Sequence, residues 1–284
     1  MGGVSTPTMI TVAPTGAETA KSDAPALPAT LEELAAAAKA CEAAGAALIH
    51  IHIRDGAALP TLDLAQLTDT VTAVREATDL VVQLSTGGAV TDPFDARLRV
   101  LEAGPDSVSL TCGTVNFGSD VFMNPWDFIV ELYRRTQALE IVPEFELFDL
   151  GHVATLNRLL DKEGLPYGGH VHADLVLGVP GGAPGTIDSV VTMSRLLPPG
   201  ASWSATGVGR STLPVALATL SAGGHLRVGM EDTLTFSPGR PVRDNAELVA
   251  RAATLATLAL RPPMTTGDAR ALLNVKDRRH GVSS

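Results

Sequence analysis

Apolar residues along this chain fall into two alternating patterns. Short apolar runs recur, and the longer stretches between them carry apolar residues three or four positions apart. The runs predict strands at 9–15, 46–54, 80–86, 106–111, 142–148, 169–176, 202–206 and 226–229. The intervening stretches predict helices. Thr30 with Glu33 reads as a capping box, and Asp92 before Pro93 and Asn124 before Pro125 read as caps ahead of a first-turn proline. Gly45, Gly104 and Gly164 stand where helices should stop. Eight strands each followed by a helix are what a (β/α)8 TIM barrel requires, with a doubly wound open sheet as the alternative.

Within the strands, polar and apolar side chains alternate, so each strand has two unlike faces. Ile49, Ile51 and Ile53 oppose His50, His52 and Arg54. Val82 and Leu84 oppose Gln83 and Ser85, and Val108 and Leu110 oppose Ser107, Ser109 and Thr111. Phe145 and Leu147 oppose Glu144 and Glu146. Val171 and Leu175 oppose His170, His172 and Asp174. Helices flanking the sheet would take the apolar face, leaving the polar one inside the barrel. Barrel interiors are normally filled by branched apolar side chains. Buried polar groups destabilise a fold unless they have partners, so this interior must be internally paired.

Composition narrows the setting. The chain has 284 residues, within the range of one α/β barrel, and the expectation is a single domain over 1–284 with loose tails at about 1–8 and 275–284. Hydrophobic residues make up 45% and aromatic ones 4%, so the core is built from aliphatic side chains. A formal net charge of −10 argues against nucleic acid as a partner. Residues 1–8 do not read as a signal peptide, and no apolar run is long enough to span a membrane. Two cysteines, Cys41 and Cys112, are too few for a disulfide scaffold and suggest a reducing, cytoplasmic compartment. Neither is expected to be an activated thiol: Cys41 falls on a helix facing the sheet, and Cys112 has no activating neighbour.

The sharpest local feature is His50-Ile51-His52. Two imidazoles at i and i+2 point to one side of a strand, about 7 Å apart along it, which suits two ligands of one ion. Two histidines and a carboxylate leave a coordination position open, as catalytic zinc sites do. Two hydrogen-bonded interior histidines are the plainer alternative. Glu231 and Asp232 follow the eighth strand, which in a closed barrel lies two places from the second. Glu231 could complete the metal site, and Arg227 could pair with Asp232, favouring its ionised form. A Glu-Asp pair capping the next helix is the competing reading. His170-Val171-His172 is a rival site, and Glu144 and Glu146 are further candidates or supporting partners. Ser85-Thr86-Gly87-Gly88 offers hydroxyls and backbone N–H groups for a substrate carboxylate. Residues 178–185 (GVPGGAPG) form a loop after the sixth strand.

Taken in order, these segments resemble the β-keto acid cleavage enzymes. The resemblance covers nearly the whole chain. It rests on ITVAPTGAE (10–18), AGAALIHIHIRD (44–55), LSTGG (84–88), PEFE (143–146) with Phe148-Asp149, the stretch from Trp203 to Gly209-Arg210, and GGHLRVGMED (223–232). It implies a zinc-dependent barrel that condenses a β-keto acid with acetyl-CoA and releases acetoacetate plus a new CoA ester. It further implies His50, His52 and Glu231 as metal ligands, Asp232 as the base oriented by Arg227, and Glu18 as an active-site glutamate. The 85–88 loop and Thr111 would hold the substrate carboxylate, with Glu146 beside them, and the assembly would be a homotetramer. The family commonly continues Glu-Asp with Asn, where this chain has Thr233. Together with His170 and His172, that bears on which keto acid is used. Two alternatives stand beside this reading. One is a metal-dependent hydrolase of the amidohydrolase type, whose His-x-His belongs on the first strand rather than the second. The other is a barrel that binds acyl-CoA without turnover.

Overall fold

A computed structural model describes residues 6–278. The barrel strands are β1 (Ile10–Val12), β2 (Leu48–Ile51), β3 (Val81–Leu84), β4 (Ser107–Thr111), β5 (Val142–Leu147), β6 (His172–Leu177), β7 (Ser202–Gly207) and β8 (His225–Val228). All eight run parallel and close in sequence order, with β1 bonded to both β8 and β2. The expected (β/α)8 barrel is therefore the observed one. Helices α1 (Leu31–Ala44), α2 (Leu64–Ala77), α3 (Phe94–Arg99), α4 (Trp126–Ala138), α5 (Leu150–Glu163), α6 (Ile187–Arg195), α7 (Thr212–Ala222) and α8 (Asn245–Leu258) follow the strands in turn, and α9 (Thr266–Leu273) is added after the last.

Helix α1 shows how local sequence fixes an element. Thr30 accepts the Glu33 N–H, the Glu33 carboxylate accepts the Thr30 N–H, and Gly45 ends the helix at φ +111°. Leu34, Ala38 and Cys41, spaced by four and three residues, form its buried stripe. Burial pushes the Cys41 thiol up to about 12, so it is an inert core group. The two proline caps differ from expectation. Pro93 and Pro125 themselves occupy the N-cap positions, and neither helix has a side-chain cap bond. Asp92 instead accepts the Ala89 N–H, and Asn124 accepts from Arg97.

The apolar strand faces join the main core with the helices: Ile49, Ile51, Val82, Leu84, Val108, Leu110, Phe145 and Leu147 all belong to it. The polar faces meet inside the barrel. Ser109, Glu144, His172 and Ser202 share one level through the pairings Ser109 with Glu144, Glu144 with His172, and His172 with Ser202.

Several boundaries moved. The second strand leaves the barrel at His52, and Ile53–Arg54 pairs antiparallel with Pro60–Thr61 beyond it. The sixth strand starts at His172, so His170 precedes it and is half-buried. The expected loose tails are shorter within the described residues. Thr8 is buried and exchanges backbone bonds with Pro262 and Met264. Val275 packs on the Met9 cluster, and Arg278 donates to the Leu139 and Glu140 carbonyls. The remainder of those tails, 1–5 and 279–284, lies outside the described residues. No helix among the described residues is long and apolar enough to cross a membrane.

The capping box carries a prediction. Lys21 donates to both Glu33 oxygens at 2.8 Å and Ala29 N–H to one of them, which together hold the Glu33 carboxyl at about 2 instead of 4.5. A depressed folded-state value contributes stability above the unfolded value and loses it as pH falls. Glu33→Gln should therefore cost about 1 kcal/mol at neutral pH, since the pair is solvent-screened. In urea titrations, the deficit should shrink as pH falls from 4.5 towards 2.

Candidate active site

The carboxyl ends of the strands surround a cavity of about 430 Å³. Its floor is organised by Arg227, which projects from β8 into the barrel. Arg227 Nη1 donates to Glu146 on β5 at 3.1 Å, a reach possible only through the interior. Its Nη2 donates to Asp232 Oδ1 at 3.1 Å and also to Glu231, while Nε reaches Asp232 Oδ2 at 3.4 Å. Asp174 Oδ2 lies 4.0 Å away and accepts from Thr206 at 2.6 Å. Burial disfavours the guanidinium charge, but Asp232, Glu231, Asp174 and Glu146 outweigh it and hold Arg227 firmly protonated.

The carboxylates respond unequally. Burial also opposes ionisation of Glu231, yet Arg227 and the two neighbouring imidazoles hold it at about 2. Asp232 goes the other way. Burial pushes it up to about 7 against the pull of Arg227, with the Glu231 charge adding to the rise. The sequence-based expectation that Arg227 would favour ionised Asp232 thus accounts for only one of the competing effects. Asp174 is raised to about 6, by burial first and Glu144 second.

Beside this cluster sit the two histidines. The nearest-lying donor atoms of His50, His52 and Glu231 all fall within 4.8 Å of one another. His50 Nε2 is 3.3 Å from His52 Nε2, and Glu231 Oε1 is 3.9 and 3.7 Å from them. His50 Nδ1 lies 2.6 Å from Gln83 Oε1, an atom that can only accept. The proton must then sit on Nδ1, which leaves the Nε2 lone pair facing the cavity. Burial holds His52 at about 4, so its imidazole is neutral. Glu231 Oε2 is buried with no hydrogen-bond partner. Two imidazoles, an ionised carboxylate and an orphaned oxygen converging on one point fit a divalent cation.

Close backbone approach sets Glu231 in place. A Cβ at Gly229 would lie 1.9 Å from the Ala13 carbonyl oxygen, and one at Gly16, itself at φ +65°, would lie 2.6 Å from Glu231 Cγ. The Glu231 N–H donates to the Ala13 carbonyl at 3.2 Å. Asn245, opening α8, ties Met230 N–H to the Pro14 carbonyl.

The remaining candidates divide. Glu18, Ser85, Gly87, Gly88 and Glu146 line the cavity. Thr86 and Thr111 are buried behind it, their hydroxyls donating to the Ser109 carbonyl at 2.6 Å and to Glu146 at 2.8 Å. His170 and His172 do not join the first pair. Both contact Ser202 Oγ at 2.7 Å, deeper in the barrel, and His172 Nε2 lies 3.4 Å from Glu144 Oε2. Burial holds the Cys112 thiol well up, with no activating partner. Three contributors were not singled out in the sequence. Gln83 fixes the His50 tautomer. Arg54 binds the Gly16 and Thr19 carbonyls at 2.7 and 2.9 Å, bracing the loop that carries Glu18. A wall of phenylalanine and valine lies opposite the histidines. Period-two alternation flagged Gln83 and Arg54 as inward-facing, but it carries no signal for loop residues.

A closed parallel barrel with a three-donor cluster and a buried acid–arginine network at its carboxyl mouth is built as an enzyme. The chain belongs to the beta-keto acid cleavage enzyme family, whose model matches residues 7–275. It is 37% identical to the 3-keto-5-aminohexanoate cleavage enzyme of Fusobacterium nucleatum, covering 94% of this chain and 98% of that protein. The enzyme of the same name from Acetoanaerobium sticklandii is 35% identical over equal shares. Among solved structures, apo ObcA superposes with a TM-score of 0.75 at 21% identity, over 88% of this chain and 66% of that one, a likeness of fold. Family membership displaces the amidohydrolase alternative, consistent with His50 lying on β2 and not β1.

Removing Arg227 should expose the dependence of this floor on one cation. Arg227→Met leaves buried carboxylates without their partner and should cost about 3–5 kcal/mol in urea unfolding. A loss below about 1 kcal/mol would mean the carboxylates are compensated elsewhere.

Proposed function

We propose that this protein transfers the acyl group of a β-keto acid to CoA, using acetyl-CoA and releasing acetoacetate. The observation that carries the proposal is the placement of Asp232, gripped by Arg227, next to the His50, His52 and Glu231 donors in one cavity. Family membership over residues 7–275 supports the same chemistry.

The reaction balances without an outside reductant or oxidant. A β-keto acid, R–CO–CH2–COO⁻, and acetyl-CoA give acetoacetate and R–CO–SCoA. Asp232 takes a proton from the carbon between the keto and carboxylate groups. That carbon bonds to the acetyl carbonyl and CoA thiolate departs. The thiolate adds to the original keto carbon, the bond from that carbon to the acetoacetate unit breaks, and Asp232 returns the proton. An acid raised to about 7 is suited to both taking and returning it. A divalent ion held by His50, His52 and Glu231 would supply Lewis-acid polarisation of the keto oxygen.

The chain's own groups do the positioning. Ser85, Gly87 and Gly88 line the cavity, and the Ser85 hydroxyl, which accepts the Gly87 N–H at 3.1 Å, would donate to the substrate carboxylate, with Thr111 acting through Glu146. Glu18 stands at the loop braced by Arg54. The imidazole pair favours zinc among common divalent ions. Free, buried Cys41 and Cys112 favour a reducing cytoplasmic setting. Leu258 and Leu260, each 75% exposed, offer apolar surface for assembly into a homotetramer.

His50→Ala and His52→Ala should lose bound metal, read by elemental mass spectrometry, and lose turnover with it. Asp232→Asn should keep the metal and slow turnover by about 10²–10⁴. Full activity in Asp232→Asn would remove Asp232 from the role of base.

A further inference from the structure

Resting on the acyl-exchange reading, we infer that the substrate's R group is a hydrocarbon chain without a second carboxylate, selected by the apolar wall that faces the histidine–glutamate cluster. The wall is built from loops after β4 to β7. Phe117 and Phe122 come from the hairpin after β4, Phe148 follows β5, Val176 and Val179 lie at the end of β6, and Val208 follows β7. Phe117 meets Phe122 and Phe148 edge to face, at centroid separations of 6.2 and 6.1 Å. Phe122, Phe148, Val176 and Val179 belong to a small core cluster of their own, separate from the one beneath the helices.

The keto and carboxylate ends of any β-keto acid are fixed by the chemistry at β2, β3 and β8. The R group then extends across the mouth onto this wall. A second carboxylate there would be stripped of water without a cation to receive it. Among the described residues lining the cavity, Arg227 is the permanent cation, and its guanidinium is committed to Glu146, Glu231 and Asp232. Arg97, stacked behind the Phe122 ring at 4.9 Å, donates to the Thr86 and Met123 carbonyls and to Asn124. The acidic groups Glu18 and Asp120 at the rim add repulsion against an anionic tail. The pantetheine arm of CoA, which carries amides, is poorly matched to the same wall and is left to the polar loops.

The test is a substrate panel with the metal-replete protein and acetyl-CoA, comparing 3-oxopentanoate, 3-oxohexanoate and 3-oxooctanoate with 3-oxoadipate. Among the straight-chain acids kcat/KM should rise by about fourfold per added methylene until the wall is filled. 3-Oxohexanoate should exceed 3-oxoadipate by about 100-fold or more. Comparable or faster turnover of 3-oxoadipate would overturn this inference and leave acyl exchange standing. No CoA ester from any acid would overturn the acyl-exchange reading and this inference with it. A half-buried position allows a second check. Val208→Lys, verified as folded by its melting transition, should shift the 3-oxoadipate to 3-oxohexanoate ratio of kcat/KM upward by about tenfold or more. An unchanged ratio would show that the R group does not touch this wall.

Discussion

One buried guanidinium organises this barrel. Arg227 is the charge against which Glu146, Glu231, Asp232 and Asp174 are arranged, drawn from β5, β6 and the segment after β8. Without a cation at that point, four carboxyl groups in a water-poor interior would have to protonate or move apart. With it, they differentiate. Glu231 stays ionised and faces the imidazoles, while Asp232, which accepts two hydrogen bonds from the same guanidinium, keeps a raised affinity for its proton. A ligand carboxylate and a proton-transfer carboxylate thus sit side by side because burial and charge act on them in different proportions.

The rest of the fold serves that placement. The helices take the aliphatic strand faces, which lets the inner faces carry polar side chains. Several of those side chains satisfy one another: Gln83 with His50, Thr111 with Glu146, Ser204 and Thr206 with Asp174. Glycines 16 and 229 allow the first and last strand loops to close tightly enough to bring Glu231 to the histidines. The site is therefore held by rigid strand ends, with the loops around it free to shape what enters.

Much of this was legible from residue order, for a physical reason. Alternation along a strand is a local property, so the inward direction of His50, Gln83, Glu146 and Asp174 could be read directly, and barrel closure then brought Glu231 to His50. What stayed hidden depended on partners distant in sequence. The hydroxyls of Thr86 and Thr111 looked available for substrate, but their register places a carbonyl and a carboxylate within reach. His52 looked like a mid-strand residue, yet the chain turns into a short hairpin just after it. His170 and His172 repeated the favourable spacing but sit lower in the barrel, where Ser202 takes both. The phenylalanine and valine wall comes from separate loops, and nothing in any one of them announces a common surface.

The most direct measurement is carbon-13 tracing with acetyl-CoA labelled at both acetyl carbons, incubated with the metal-loaded protein and an unlabelled β-keto acid. The account predicts that both labels appear in carbons 3 and 4 of acetoacetate and that the new CoA ester carries none. Label recovered as acetate, with no new CoA ester, would contradict it and make the site hydrolytic.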